Sequence, residues 1–190
     1  MTDGPLLWYV NRGTGVVLLV LLTVSVVLGV LASRGRAGGR VPQFVRQDLH
    51  RNVSLLAVAL LAAHVASAVL DTFVDIRWWS AFVPVRGGYD PVWLGLGTLS
   101  LDLLVVVVLT SLARARMPYR SWWLVHLLSY AAWALGVAHG IGIGTDETSD
   151  VGWGLPLTIG CVAAVALAVV VRLAQGAVSA RRRTSRDVAA

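Results

Sequence analysis

The sequence predicts an all-α integral membrane bundle of about five transmembrane helices, and three observations carry that expectation. Five apolar runs approach the roughly 20 residues that a helix needs to cross a bilayer. The chain is 57% hydrophobic with a mean hydropathy of +0.74, above the roughly 45–50% apolar content of soluble domains. Arginine clusters and acidic loops alternate between the runs, as in a multi-pass topology.

The first span is expected over residues 13–33, behind Trp8 and Tyr9, which suit an interfacial anchor. This run is longer than a signal-peptide core, and its positive cluster follows it, so a retained span is expected. A Gly/Arg-rich turn at 33–39 and a break at Pro42 lead to a second span over 52–71. The long loop at 71–90 holds Trp78 and Trp79, and its 76–82 part suits a short interfacial helix. Pro91 fits a first helical turn, opening a third span over 91–113 with Trp93 at its outer end. Met117, Pro118 and Tyr119 make a turn before Trp122, Trp123 and a fourth span over 121–141. A Gly-rich acidic loop at 140–154 precedes a fifth span over 153–175, and 176–190 is a basic tail. One transmembrane domain therefore occupies residues 1–190.

All 16 basic residues are arginine, and the formal charge is +6. Arg34, Arg36, Arg40, Arg46, Arg51, Arg114, Arg116, Arg120, Arg172, Arg181, Arg182, Arg183 and Arg186 fall on one side of a five-span topology. Arg12, Arg77 and Arg86 fall on the other, with Asp3, Asp71, Asp75, Asp90, Asp146, Glu147 and Asp150. The positive-inside rule then predicts a cell-membrane protein with its N-terminus outside and its C-terminus cytoplasmic. This distribution follows the spans, so nucleic acid is not an expected partner; the lipid bilayer is. Cys161 is the only cysteine, which excludes an internal disulfide, a Cys-based metal site and covalent haem attachment. It is expected to pack as a small hydrophobe.

Four histidines carry the chemistry. His50 and His64 lie 14 residues apart at the ends of the second span, and His126 and His139 lie 13 apart at the ends of the fourth. Ionisable residues at membrane depth are functional candidates. Fourteen residues separate two rings by about 21 Å and return to within roughly 40° of one face. One metal ion cannot bridge that distance, so each histidine needs a partner from another helix. In parallel spans two and four, His50 and His126 share the inner level and His64 and His139 the outer. Two ligands per level predict two bis-histidine b-type haems. The 13-residue spacing is out of phase by roughly 140°, so a tightened turn near Gly136 or a different azimuth for the outer haem is needed.

Small residues crowd both spans: Ala57, Ala59, Ala62, Ala63, Ala66 and Ser67, then Ala131, Ala132, Ala134, Gly136 and Ala138. They allow close helix approach and leave room for a flat macrocycle. Haem propionates need cationic partners: Arg46, Arg51 and Arg120 are inner candidates, and Arg12, Arg77 and Arg86 outer ones, Arg12 being the best placed. Trp133, midway between His126 and His139, either packs in the core or contacts a cofactor. Asp102, mid-span, either pairs with Ser100 or Thr98 or serves a proton path.

On these residues the chain resembles the ferric reductase-like transmembrane domain family, which includes the membrane portion of NADPH oxidases. The matching pattern is the two histidine pairs at 14- and 13-residue spacing. The stretch 114–145, with its basic turn, aromatic helix start and His-Gly-x-Gly-x-Gly-Thr run, is also similar. Members commonly carry six spans and a cytosolic flavin and nicotinamide domain; five spans are counted here. The resemblance therefore implies a membrane electron-transfer subunit, supplied by a separate cytoplasmic flavoprotein or by quinol and delivering to an unknown extracytoplasmic acceptor. The competing expectation is a non-redox membrane protein, a transporter subunit or scaffold, whose histidines pack or carry protons.

Overall fold

The computed structural model describes residues 6–32, 42–71, 76, 78–84, 90–144 and 152–188, with the backbone alone beyond residue 178. The helices are α1 (Leu6–Ala32), α2 (Gln43–Leu70), α3 (Pro91–Leu112), α4 (Tyr119–His126), α5 (Leu128–Ile143) and α6 (Gly154–Val188). Short 3-10 turns occupy Trp78–Ala81 and Arg114–Arg116. No strand occurs among the described residues, and the all-α expectation holds. Among the described residues, five helical units are long and apolar enough to cross a membrane, with α4 and α5 together forming the fourth.

Helix ends depart from the hydropathy boundaries where polar helix formers extend a span. α1 begins at Leu6 rather than 13, so Trp8 and Tyr9 lie on the helix itself. α2 begins at Gln43 rather than 52, which places His50 inside the helix, after Arg46 and Asp48. α6 continues to Val188 through the expected tail, because its Ala, Arg, Gln and Ser residues are compatible with a helix in water. Hydropathy marks the part in hydrocarbon, not the end of the backbone pattern. Within the 76–82 stretch expected to form a short helix, a 3-10 helix spans Trp78–Ala81, with Trp78 exposed.

The bundle is built from two antiparallel hairpins. α1 packs along α2, α3 packs along α5, and α1 also contacts α5 and α6. Histidines lie on α2, α4 and α5, and α2 is extensively packed against neither α4 nor α5; α2 is backed by α1, and α4 and α5 by α3. Many buried positions are small or hydroxylic, among them Ala57, Ala132, Ala168, Cys161, Thr23, Ser25, Ser67, Thr98, Ser100 and Thr158, beside the apolar Leu18, Val30, Val107, Val137 and Val165. Large apolar side chains face outward, Leu109 at 59% and Leu167 at 64% exposure. In lipid, close backbone approach and interhelical hydrogen bonds replace the hydrophobic drive of a water-soluble core. The small residues of α2 divide accordingly. Ala57 and Ser67 are buried, whereas Ala59, Ala62, Ala63 and Ala66 are exposed, so they are not part of a close helix contact.

The C-terminal carbonyls of α1 are closed by two arginines. Arg46 donates to Leu31 O at 3.1 Å and Arg172 to Val30 O at 3.0 Å. These cations meet the negative end of the helix dipole, joining α1 to both α2 and α6.

Candidate functional site: two levels of paired histidines

Each histidine is held from the neighbouring helix of its own hairpin. His50 Nδ1 donates to Ser25 O at 2.9 Å and His64 Nδ1 to Asn11 O at 3.0 Å, both on α1. His139 Nδ1 donates to Trp93 O of α3 at 2.9 Å. His126 Nδ1 lies 3.4 Å from Ser111 Oγ, also on α3. A carbonyl can only accept, so in the first three rings Nδ1 carries the proton and Nε2 keeps a free lone pair. Every hydrogen bond that the four rings make among the described residues runs through Nδ1. Histidines that ligate metals in other proteins are commonly oriented through their second ring nitrogen in the same way.

Across the bundle the rings pair by depth. At the arginine-rich end, the His50 and His126 ring centroids are 6.2 Å apart with planes at 74°. At the far end, His64 and His139 line one cavity of about 310 Å³, together with Asn11, Arg12, Gly15 and Trp133, a size within the usual ligand-pocket range. Among the described residues, no group of three or more His, Cys, Asp or Glu side chains converges.

The two levels have different surroundings. Trp122 stacks on His126 at 4.9 Å and 25°, and the Arg114 guanidinium lies over Trp122 at 4.4 Å. The Trp122 indole nitrogen is buried without a hydrogen-bond partner among the described residues. At the far end, Arg12 lines the cavity and lies over Trp8 at 5.1 Å. Between the levels, Trp133 Nε1 donates to Thr23 Oγ1 at 3.0 Å, tying α5 to α1 while its ring lines the cavity. Core contact and cavity lining are thus combined in one side chain.

A family model matches residues 6–146. The chain belongs to the DUF8596 family, a domain of unknown function. Neither curated proteins nor solved structures give a match. The matched DUF8596 segment contains all four histidines and both hairpins, and ends before α6.

Within that DUF8596 frame the remaining expected residues fall as follows. Arg46 is half-buried and occupied with the end of α1, whereas Arg51 and Arg120 are exposed. Arg77, Arg86 and the acidic residues Asp146, Glu147 and Asp150 lie outside the described residues. Asp102 is half-buried on α3, but the Ser100 hydroxyl expected to pair with it donates to Ala132 O at 2.8 Å instead. The break expected near Gly136 lies at Leu127, directly after His126; α5 runs through Gly136 intact. Tyr130 N–H bonds to Leu127 O, a 3-10 contact. Each residue of such a turn advances by about 120° instead of about 100°. The break therefore rotates His139 in the direction that the 13-residue spacing requires.

Sequence reasoning missed the residues behind the histidines: Asn11, Ser25, Trp93 and Ser111, with Gly15, Gly29 and Gly97 beside the rings. A signal exists. Gly15 and Gly29 are 14 residues apart on α1, matching His50 and His64 on the antiparallel α2.

Proposed function

We propose that the chain carries electrons across the membrane through two bis-histidine b-type haems, as the membrane subunit of a ferric reductase-like system. The supporting observation is the set of four imidazoles, paired by depth and anchored through Nδ1. The separation of the His50 and His126 ring centroids, 6.2 Å, leaves room for one metal atom between the two imidazoles, since two bonds of about 2 Å plus two ring radii of about 1 Å give about 6 Å. The far pair, with its cavity, offers the same donor set and room beside it.

When bound, each haem supplies a one-electron iron centre whose potential responds to axial ligands and their hydrogen bonds. His50 and His126 would hold one and His64 and His139 the other. The carbonyls of Ser25, Asn11 and Trp93 orient three of the ligands and raise their basicity. Arg12 brings positive charge to the far cavity, where a propionate needs it. Trp133 fills space between the levels. Arg114 and Trp122 cover His126 at the arginine-rich end.

In this reading the arginine-rich end is cytoplasmic in the cell membrane, and the N-terminus is outside. The inner level would receive electrons from a cytoplasmic flavoprotein or quinol, and the outer level would pass them to an extracytoplasmic acceptor. The test is the haem content of the purified protein by pyridine haemochrome. A haem-to-protein ratio near two supports the reading. A colourless, folded protein after haem supplementation would sink it in favour of a non-redox transporter subunit or scaffold.

A further inference from the structure

The three histidines anchored on carbonyls share one local device. The accepting carbonyl belongs to residue i, and a glycine occupies i+4 on the same helix: Asn11 and Gly15, Ser25 and Gly29, Trp93 and Gly97. A helical Cβ leans toward the N-terminus, over the preceding turn. A side chain at i+4 therefore shields the carbonyl of i, and its loss opens a notch beside that oxygen. Added Cβ atoms would meet the rings themselves: at Gly97, 2.6 Å from His139 Nδ1; at Gly15, 3.1 Å from His64 Cε1; at Gly29, 3.3 Å from His50 Cε1. The pattern recurs away from the histidines, where Ser100 reaches Ala132 O beside Gly136. At the fourth histidine the device is replaced by a hydroxyl, Ser111.

We infer that Gly15, Gly29 and Gly97 are positioning residues, each opening a notch through which a ligand histidine reaches a helix carbonyl, so that ring orientation and ligand basicity are set from α1 and α3. The inference rests on the haem reading above and extends it to residues that touch no metal. It has a directional consequence. The far level has two carbonyl anchors, whereas the arginine-rich level has one carbonyl and one long hydroxyl contact. A stronger acceptor at Nδ1 makes imidazole a stronger donor and stabilises the oxidised metal. The far haem therefore has the lower intrinsic midpoint potential.

The test is a redox titration of purified full-length variants, followed by b-type absorption, with haem stoichiometry measured in parallel. Gly97→Ala should take the haem-to-protein ratio from near two to near one by loss of the far haem. Gly15→Ala should keep both haems and raise the potential of the far one. Gly29→Ala should act in the same sense, more weakly, on the other haem alone. Gly160→Ala, where an added Cβ meets nothing within 4 Å, should change neither. Ser111→Ala adds no bulk and should raise only the potential of the His50/His126 haem, which keeps the inference testable should Gly97→Ala not fold. Wild-type protein with two haems and unchanged potentials in Gly15→Ala and Ser111→Ala would overturn this inference alone. Folded wild-type protein without haem would overturn the haem reading, and this inference with it.

Discussion

Asn11 and His64 clamp one another across α1 and α2. The Asn11 backbone carbonyl accepts from His64 Nδ1 at 3.0 Å, while the Asn11 carboxamide donates to the His64 carbonyl at 2.9 Å. The same carboxamide reaches Ser67 Oγ at 3.3 Å. Side chain and backbone of one residue thereby fix both the ring and the helix that carries it.

The clamp has separable halves. Asn11→Ala removes the carboxamide and leaves the carbonyl, so the ring anchor persists. The expected cost is about 1 kcal/mol of stability for the lost interhelical bonds, measured by unfolding in detergent, with haem content unchanged. Complete loss of the far haem in this variant would show that the side chain, not the carbonyl, holds His64 in place.

Ligand removal should be pairwise. His50→Ala and His126→Ala should each remove the same haem and lower the haem-to-protein ratio from near two to near one. His64→Ala and His139→Ala should remove the other. Difference spectra identify which haem is missing; four variants with unrelated losses would contradict pairing by depth.

Trp133→Phe keeps an aromatic ring in the cavity wall and deletes one donor. Thr23 Oγ1 still bonds to Leu19 O at 2.8 Å, so no buried hydroxyl is stranded. The cost should stay near 0.6 kcal/mol, about the average for interhelical hydrogen bonds in a membrane, with both haems retained. Slower electron transfer between the two haems in this variant would assign the indole a part in the path; an unchanged rate restricts it to packing.

Orientation is open to direct measurement. Reporter domains active only in the cytoplasm should work when fused after Ala190 and fail when inserted at 145–150. The reverse pattern would exchange the inner and outer levels and place the arginine-rich end outside.

Electron entry should depend on a partner. The pure 190-residue chain should not oxidise NADPH, because its sequence holds no glycine-rich nucleotide cradle between a strand and a helix. Arg51, Arg114, Arg116 and Arg120 are exposed and lie close in sequence to His50 or His126, and an acidic donor docking on them should bind more weakly as salt rises. Sustained NADPH-dependent haem reduction without an added donor would show that electrons enter elsewhere.

Much of this was legible in one dimension. Apolar runs gave the five spans because transfer into hydrocarbon depends on local composition. The depth of each histidine followed from the fixed rise of a helix. Span ends were less legible: residues 43–51 and 176–188 are polar enough to leave the bilayer and still helical, so hydropathy misses them.

By itself, the sequence determined the helical membrane class, the arginine asymmetry and the two depths at which histidines lie, because composition and helical rise are properties of the chain alone. Tertiary structure decided the azimuths and the neighbours. It put the break at Leu127 instead of Gly136, brought His50 and His126 to 6.2 Å, and turned Ser100 toward Ala132 and not Asp102. It also gave the glycines of α1 and α3 their meaning. A glycine spacing read alone is only small-residue packing. Its use as a gap beside a carbonyl exists once an antiparallel neighbour sets a histidine opposite it, and that register is fixed by contacts between helices rather than by either helix on its own.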